Sequence, residues 1–439
     1  MHRTENHSSL VRRKYLHVLL PLFITSFIST IDRINVAFAA LTMNKDLGFS
    51  AQVYGMGAGI FFLAYFVFEV PGAYIAARWS ATRWLARIMI SWGVVCLLMG
   101  FMHTAAEFYV YRFLLGAAEA SLYPVCYAVV LPRWFTAAET PKATSVLLTS
   151  LLAAIIVNAP VAGWLLGVTA LGFKGWQSLF ILEGIPAIVF GVVLLYWLVD
   201  WPEQAKWLTP EEARLLRENY ERETARKTAV KKVTFWQALG DKEVLKLCFT
   251  YFLWMTGYQA FNYWLPTVLK AVSGWSNRTT GFVIVIPMTL ALIGFVVNGS
   301  HSSRTGEKRW HVAIPLLIAA FGMSVGTAIK DPFLGLILVC ITAVGAYVGM
   351  GVWWTYPTAF LSGPAAAGAV GLINSCGSMG GWLGPYITGY LKDLTGSFRV
   401  PYLAFSVALV CSALLILTLR RKLPAQEAAE TPAKDQVLV

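Results

Sequence analysis

The sequence predicts an all-helical, polytopic membrane protein in which twelve transmembrane helices form two halves of six. Hydrophobic residues make up 57% of its 439 residues and charged residues only 13%, about half the charged fraction of an ordinary soluble domain. Apolar segments of roughly 20 residues, the length that crosses a bilayer, recur along the chain. One long polar segment separates the first six of these segments from the last six.

The predicted spans are bounded by charged residues or by clusters of Gly, Pro and Asn. They cover approximately residues 16–41, 53–77, 84–104, 107–131, 144–168, 178–199, 245–270, 279–300, 310–329, 332–360, 365–391 and 399–420. The polar segment contains a helix-start pattern at Thr209-Pro210-Glu211-Glu212. We therefore predict four regions, which are a first half over 1–199, a linker over 200–244, a second half over 245–420 and a tail over 421–439.

The distribution of basic residues predicts the orientation. Lys and Arg concentrate at the N-terminus, in the turns 78–83, 132–143 and 301–309, in the linker and after Leu419, whereas the alternate loops contain few. Because Lys and Arg mark the cytoplasmic side of a membrane protein, we expect both termini and the linker to be cytoplasmic. The expected location is the inner membrane, and we predict no removable signal peptide.

Composition also excludes several classes of function. The net charge of +12 is explained by basic residues beside the spans, so no nucleic-acid partner is predicted. The six cysteines lie in apolar runs without Cys-x-x-Cys or Cys/His spacing, which predicts neither a disulfide framework nor a metal site. No nucleophile and base pattern is present, so we do not expect an enzyme.

The first span contains an acid and a base, Asp32 and Arg33, in the middle of an apolar helix. A charge at membrane depth costs several kcal/mol and usually faces a water-filled cavity or a partner. Neighbours on a helix point about 100° apart, so the two side chains are predicted to have different roles. Arg33 suits an anionic substrate, because its planar fork matches a carboxylate. The alternative is a permanent bridge from Arg33 to an acid on another helix.

The fourth span contains a second pair, Arg112 and Glu119, seven residues or about two helical turns apart. This spacing places both on one face, about 10 Å apart along the axis. Such a face would line a transport cavity. The alternative is that the two side chains form an internal ion pair.

The second helix of each predicted half ends in a similar basic turn, which indicates an internal repeat. The residues of these turns are Gly72, Arg78, Arg83, Arg304, Gly306, Lys308 and Arg309. Two six-helix halves related by a repeat are the architecture of major facilitator transporters, whose substrate site lies between the halves at the midplane. The turns resemble degenerate copies of that superfamily's signature Gly-x3-Asp-Arg-x-Gly, with Ser303 in the place of the acid. The resemblance implies a gating role for Arg78, Arg83, Arg304, Gly306 and Arg309.

Four further motifs narrow the resemblance. They are Ile31-Asp32-Arg33-Ile34-Asn35, Tyr111-Arg112-Phe113-Leu114-Leu115-Gly116-Ala117-Ala118-Glu119-Ala120, Phe180-Ile181-Leu182-Glu183-Gly184-Ile185-Pro186 and Gly371-Leu372-Ile373-Asn374-Ser375. Together they resemble the anion:cation symporter branch, which includes bacterial permeases for sugar acids, tartrate and phthalate. The resemblance implies that Asp32 and Glu119 take part in proton coupling. Glu69 and Glu183 lie toward the ends of their spans and are predicted to be structural.

The resemblance, combined with side-chain chemistry, also suggests the residues that contact the substrate. These are Arg33, Tyr65, Arg112, Asn158, Trp354, Thr355 and Asn374. The uncharged members could instead hydrogen-bond between helices. The glycines around Asn374 would let neighbouring helices approach closely and slide.

The sequence therefore predicts proton-coupled uptake of a small organic anion by alternating access. The expected partners are that anion, protons and membrane lipid, and the protein is expected to be a monomer without a cofactor beyond the proton gradient. Fold alone does not fix the direction of transport. The alternatives are an exporter, uniporter or exchanger of the same fold, and a membrane receptor or enzyme.

Overall fold

A computed structural model describes residues 9–169, 172–228, 242–355 and 364–419. Within these ranges all regular elements are helices, and twelve long ones occupy the twelve positions predicted from the sequence. They are α1 (Ser9–Leu47), α2 (Ala51–Arg78), α3 (Ala81–Met99), α4 (Ala105–Trp134), α5 (Thr140–Leu165), α6 (Gly175–Trp197), α7 (Lys242–Ser273), α8 (Asn277–Thr305), α9 (Arg309–Gly326), α10 (Pro332–Trp353), α11 (Pro364–Thr395) and α12 (Arg399–Leu417). The predicted all-helical membrane fold is confirmed.

Ten of these helices are long and apolar enough to cross a membrane by length and composition. The other two, α7 and α11, contain more polar residues but are 32 residues long. At 1.5 Å per residue each spans about 48 Å, well beyond the hydrocarbon thickness of about 30 Å. Their polar side chains therefore lie at membrane depth, where they need partners inside the protein.

Polar contacts gather at two opposite faces of the helix bundle. At one face Lys14 Nζ donates to Glu139 at 2.7 Å and Ser80 Oγ donates to Asp200 at 2.5 Å. At the other face Trp176 Nε1 donates to Asp46 at 2.9 Å. We call the face containing Lys14, Ser80, Glu139 and Asp200 the linker face, and the face containing Asp46 and Trp176 the distal face.

Helix contacts fall into two groups. In the N-terminal group, α1–α6, α3 packs on α6, α2 on α4, and α1 on α5 and α6. In the C-terminal group, α7–α12, α7 packs on α11 and α12, and α9 on α10 and α12. The groups meet where α2 packs on α11, α5 on α8 and α1 on α7. The division of the chain into two halves at the linker stays a prediction.

The contact between α2 and α11 depends on glycine. A Cβ atom on Gly389 would lie 2.1 Å from the Ala51 carbonyl oxygen, and one on Gly55 would lie 2.4 Å from that of Pro385. Because both neighbours are backbone, neither position has room for a side chain. The N-terminus of α2 is further capped by α11, since Asp393 accepts hydrogen bonds from the Ala51 and Gln52 amides at 3.1 and 2.7 Å.

Helix α4 is interrupted directly after Glu119. Its first segment ends there, and Ser121 adopts a left-handed conformation with φ of 75°, which few residues other than glycine adopt. The Ser121 hydroxyl accepts a hydrogen bond from Trp84 Nε1 at 2.9 Å, and Pro124 follows at the start of a π-helical turn. The sequence predicted one continuous span over 107–131, so the break is a feature that it did not reveal.

A linker helix, Pro210–Thr228, docks on the N-terminal group at the linker face. Arg13 pairs with Glu212 at 2.5 Å, and Glu223 accepts a hydrogen bond from the Ala137 amide at 2.7 Å. The indole of Trp201 is flanked by the guanidinium groups of Arg133 and Arg217, at 4.0 and 4.1 Å. The linker is thereby fastened to the N-terminal group.

The glycine contact gives a first prediction. We expect Gly389→Ala to lower the melting temperature or prevent folding, because its methyl group would overlap the Ala51 carbonyl oxygen. Gly299→Ala is the matched control, since a Cβ atom there meets nothing within 4 Å. That control should be neutral or more stable by up to about 1 kcal/mol, the helix preference for alanine over glycine. Thermal unfolding in detergent measures both, and equal melting temperatures would contradict the close contact.

A second prediction concerns Glu139, which accepts hydrogen bonds from Lys14 and the Thr136 amide. Burial alone raises the pKa of Glu139, but these hydrogen bonds outweigh it and lower the pKa below its usual value. A lowered folded-state pKa contributes stability that is present above the unfolded pKa of about 4.3 and lost as the pH falls. We therefore expect Glu139→Gln to melt below wild type at pH 7, with the difference closing below about pH 4.

The magnitude at pH 7 follows from the lost charge-assisted bond to buried Lys14, about 1.5–3 kcal/mol. Glu218→Gln removes a carboxylate from an exposed pair with Arg214 and serves as the control, with an unchanged melting temperature. A difference between Glu139→Gln and wild type that persists in acid would show that the stabilisation does not come from the Glu139 charge.

Candidate functional site

The centre of the candidate site is an ion pair between α1 and α4. Arg33 Nη2 donates to Glu119 Oε1, and Ser29 Oγ donates to the same oxygen at 2.6 Å. Ser29 and Arg33 are four residues apart, so they share one face of α1. Glu119 is at the end of the first α4 segment, where the helix break brings its carboxylate against α1. This conformation therefore contains a bridge from Arg33 to an acid on another helix, which was the alternative to substrate contact.

Three aromatic rings surround the Arg33 guanidinium. Its carbon lies 5.5 Å from the centroid of Phe61 and 5.7 Å from those of Tyr65 and Tyr123. Such rings stabilise a cation without neutralising it. The Arg33 side chain is 18% exposed although it lies in mid-helix, and its buried Nε donates no hydrogen bond to a described residue. Arg33 therefore keeps one donor without a partner among the described residues of this conformation.

Asp32 points away from Arg33, toward α3. It accepts a hydrogen bond from Trp92 Nε1 at 2.5 Å, and the Cys96 sulfur lies 3.8 Å from its other oxygen. The side chain is almost completely buried. The predicted divergence of the two neighbouring charges is therefore observed, and Asp32 lies behind α1 rather than beside Arg33.

Arg112 is fully buried and does not pair with Glu119. It donates to the carbonyl oxygens of Gly57 and Ala58 at 3.1 and 3.2 Å and to the Tyr263 hydroxyl at 3.4 Å. These acceptors belong to α2 and α7, so Arg112 joins the two helix groups. The alternative of an internal Arg112–Glu119 ion pair is absent from the part of the chain that the structure describes. Substrate contact by Arg112 stays a prediction, one that this conformation does not favour.

Tyr263 connects both arginines. Its hydroxyl donates to the Arg33 carbonyl oxygen at 3.3 Å while accepting from Arg112. The Tyr54 hydroxyl in turn donates to the Tyr263 carbonyl oxygen at 2.7 Å. A residue of the C-terminal group therefore contacts the helix that carries Arg33.

Asn374 of α11 bonds to Glu69 of α2 across the two groups. Its amide nitrogen lies 2.8 and 2.9 Å from the two Glu69 carboxylate oxygens. Asn374 thus has the polar partner that its place in an apolar helix requires. Glu69 is buried, and its bond to Asn374 links the two groups.

The remaining predicted contact residues are dispersed. Tyr65 lies against Arg33, whereas Asn158 of α5 is buried beside α6 with its amide nitrogen unbonded to any described residue. Trp354 packs against Tyr251 with ring centroids 5.3 Å apart, and Thr355 donates to the Val352 carbonyl oxygen. The structure brings Arg33, Tyr65 and Glu119 together, and it leaves the substrate roles of the others as predictions.

The predicted gating residues lie at the ends of α2, α3, α8 and α9. Arg78 stacks 4.2 Å from the Tyr74 ring, and Gly306 ends α8 with a left-handed φ of 67°. Arg78, Arg83, Arg304 and Arg309 form no ion pair with another residue that the structure describes. Asp200 instead holds the α2–α3 turn, accepting from Ser80 and from the Thr82 amide at 2.9 Å. The gating roles remain predictions.

Several residues at the site were not identified from the sequence. They are Ser29, Trp92, Tyr123 and Tyr263. Ser29 had a detectable signal, since it lies one helical turn before Arg33. The others become neighbours of the site only through contacts between helices that are distant in sequence.

Twelve long helices define a polytopic membrane protein, and the ion pair buried between α1 and α4 is typical of a transport protein. The sequence model of the Major Facilitator Superfamily matches residues 22–368, and the chain belongs to that superfamily. It is therefore a membrane-spanning transporter and not an enzyme, as predicted. The resemblance noted from the motifs is confirmed.

Relatives and solved structures agree with this assignment. The chain is 40% identical to a protein of Agrobacterium vitis described as "Putative tartrate transporter", over 99% of this chain and 96% of that one. It is 31% identical to the "Quinolone resistance transporter" of Acinetobacter baumannii, over 95% and 96%. Among solved structures, the xylose transporter XylE from E. coli in a partially occluded inward-open conformation has a TM-score of 0.74 at 14% identity, covering 94% of this chain and 100% of that one. The last likeness shows the fold alone.

The geometry of Arg33 gives a third prediction. We expect Arg33→Lys to lose at least about tenfold in affinity for a carboxylate ligand, or about 1.4 kcal/mol, nearly as much as Arg33→Ala. An ammonium is a point charge and reproduces neither the bidentate fork nor the stacking among three rings. Ligand-induced thermal shift with a panel of carboxylates measures this affinity.

The control for this experiment is Arg222→Lys, which keeps the charge at an exposed position of the linker helix. Its thermal shift should equal that of wild type. Near-native affinity in Arg33→Lys would remove the bidentate role from Arg33.

Proposed function

We propose that this transporter imports a small organic anion together with protons, by alternating access between its two helix groups. The observation that carries the proposal is the Arg33–Glu119 pair. Arg33 is the partly exposed cation of the site, and Glu119 already occupies one edge of its fork. A carboxylate substrate must therefore compete with Glu119 for Arg33.

Competition for Arg33 couples substrate to protons. When a substrate carboxylate takes Arg33, Glu119 loses its counter-charge inside a buried site, where an unpaired carboxylate is costly. Protonation of Glu119 removes that cost, because burial without a cation favours the neutral acid. The loaded state is therefore expected to contain a protonated Glu119, whose Ser29 partner can still share a hydrogen bond.

The charges inside the helices support the same conclusion. Among the described residues of the spans, four acids are buried or nearly buried, which are Asp32, Glu69, Glu119 and Glu183. Arg33 and Arg112 are the cations of this part of the bundle, because the other buried basic side chains, Lys14 and Arg133, pair with Glu139 and Asp200 at the linker face. An incoming anion adds negative charge to an interior that already has more acids than bases. Protons are the counter-charge that such an interior can take up most readily.

The substrate class that we favour is a hydroxy acid such as tartrate. The Agrobacterium vitis relative named for tartrate supports this choice, as do a hydroxyl group on α1 and an amide group on α7. Ser26, which bonds to Tyr123, and Asn262, which accepts from Tyr347, can pair with substrate hydroxyls from opposite helix groups. Asn374 could join them if it released Glu69.

We further propose that the linker face is cytoplasmic and that this conformation opens toward it. The basic residues of the linker and its neighbouring turns support the orientation. Tight contacts at the distal end, Gly389 on Ala51 and Gly281 on Ala159, support a closed distal side. Residues 1–199 and 245–420 would then be the moving halves of an inner-membrane monomer, with the turns of Arg78, Arg83, Arg304 and Arg309 at the gate.

A second candidate is export of a larger, aromatic carboxylate. The relative named for quinolone resistance supports it, because quinolones carry a carboxylate on an aromatic ring system. The rings of Phe61, Tyr65 and Tyr123 could also stack on such a molecule. Transport assays with an imposed pH gradient separate the candidates, since import and export move substrate in opposite directions relative to protons.

A fourth prediction tests the coupling. Glu119→Gln imitates the protonated acid, so we expect it to bind substrate and to exchange it across the membrane. It should no longer accumulate substrate against a gradient when driven by pH. Paired counterflow and pH-driven uptake of tartrate in proteoliposomes measure the two activities. Asp32→Asn should also lose accumulation, with an added effect on the Trp92 hydrogen bond.

Glu211→Gln is the control, because Glu211 is exposed on the linker helix. Both of its activities should match wild type. Wild-type accumulation by Glu119→Gln would exclude Glu119 from the coupling mechanism.

A further inference from the structure

A second polar cluster lies behind α1, separate from the Arg33–Glu119 pair. It consists of Asp32 and Asn35 on α1, Cys96 on α3, Asn158 on α5 and Glu183 on α6. Their exposed fractions range from 0% for Asn35 and Cys96 to 6% for Glu183. The cluster is therefore closed to the surface, and each polar atom in it must find its partner inside.

Part of the cluster is already bonded. Trp92 donates to Asp32, Asn35 donates to the Cys96 sulfur at 3.3 Å, and the Cys96 thiol points to Asp32 and to the Phe180 carbonyl oxygen at 3.6 Å. Asp32 thus receives donors from two side chains.

Glu183 is in the opposite situation. Both of its carboxylate oxygens are buried and form no hydrogen bond of normal geometry with the described residues. Asn35 Oδ1 and Asn158 Nδ2 are likewise buried and unbonded, and both amides lie within interaction range of Glu183. The two asparagines beside Glu183 therefore have one acceptor and one donor that no other described residue uses.

A protonated carboxyl group fits these two neighbours. Its O–H can donate to Asn35 Oδ1, while its carbonyl oxygen accepts from Asn158 Nδ2. An ionised carboxylate would only accept, and it would leave Asn35 Oδ1 unsatisfied.

The charges around Glu183 point the same way. The titratable groups that face it from the packed helices are Asp32 on α1 and Cys96 on α3, and α5 contributes the neutral Asn158. Glu183 forms no ion pair with a described residue. Two carboxylates close together in an apolar interior cannot both stay ionised without a cation.

We propose that Glu183 carries a second transported proton, in a carboxyl pair with Asp32 that is separate from the Arg33–Glu119 site. This inference rests on the proposed proton coupling and gives it a stoichiometry. Asp32 connects the two sites, because it is the neighbour of Arg33 on α1. When Arg33 changes partner, α1 moves and Asp32 shifts relative to Glu183. This shift changes the proton affinity of the carboxyl pair.

The number of protons per substrate tests the proposal. In proteoliposomes, the ratio of internal to external substrate concentration at which net flux is zero is measured at several imposed pH gradients. The slope of the logarithm of this ratio against the pH difference gives the number of protons per substrate. Glu183→Gln keeps one donor and one acceptor for Asn35 and Asn158, so it should fold and transport. We expect its stoichiometry to fall by one proton relative to wild type, whereas Glu183→Asp and the exposed control Glu211→Gln keep the wild-type number.

The outcomes are distinct. If wild type shows no proton coupling, the proposed function fails and this inference fails with it. If wild type couples protons and Glu183→Gln retains the full number, only the assignment of Glu183 is overturned. A sodium gradient that drives wild type but not Glu183→Gln, at unchanged proton number, overturns it in favour of a cation site.

Should Glu183→Gln not fold, wild-type protein can be treated with dicyclohexylcarbodiimide, which modifies protonated carboxyl groups in apolar surroundings. Modification of Glu183 that declines as the pH rises supports the proposal. Modification of Glu119 without any at Glu183, in acid as in neutral buffer, overturns it.

Discussion

A charge inside an apolar helix bundle must have a partner, and the candidate site depends on that constraint. Arg33 is retained at membrane depth because Glu119 neutralises it and three rings surround it. Neither helix could contain its charge alone at an acceptable free energy. In the proposed mechanism a substrate anion replaces Glu119, so that binding, protonation and helix position are properties of one exchange of partners.

The same constraint explains the arrangement around the pair. Arg112 donates to backbone carbonyl groups of α2 and to Tyr263 through Nε and Nη2, and Asn374 donates to Glu69. Several of these contacts join the two helix groups. Close approach of the groups is possible because glycines such as Gly55 and Gly389 place backbone against backbone. Helices that meet through such surfaces can slide without breaking side-chain interdigitation, which is what alternating access requires of them.

Much of the fold could be predicted from the sequence, because length and hydropathy alone define a membrane helix. The opposite directions of Asp32 and Arg33 also followed from helix geometry. The break after Glu119 did not, since a left-handed serine has no local signature and depends on the Trp84 hydrogen bond. The partners of Arg112 and Asn374 were likewise hidden. Asn374 and Glu69 are 305 positions apart, and only tertiary packing brings them together.

The central claim is that anion binding and proton uptake are one event. Calorimetric titration of the purified protein with tartrate, repeated at one pH in buffers of different ionisation enthalpy, counts the protons taken up on binding. The account predicts a binding enthalpy that varies linearly with the buffer's ionisation enthalpy, with a slope that corresponds to net proton uptake. An enthalpy of binding that is independent of the buffer between mildly acidic and neutral pH would contradict it.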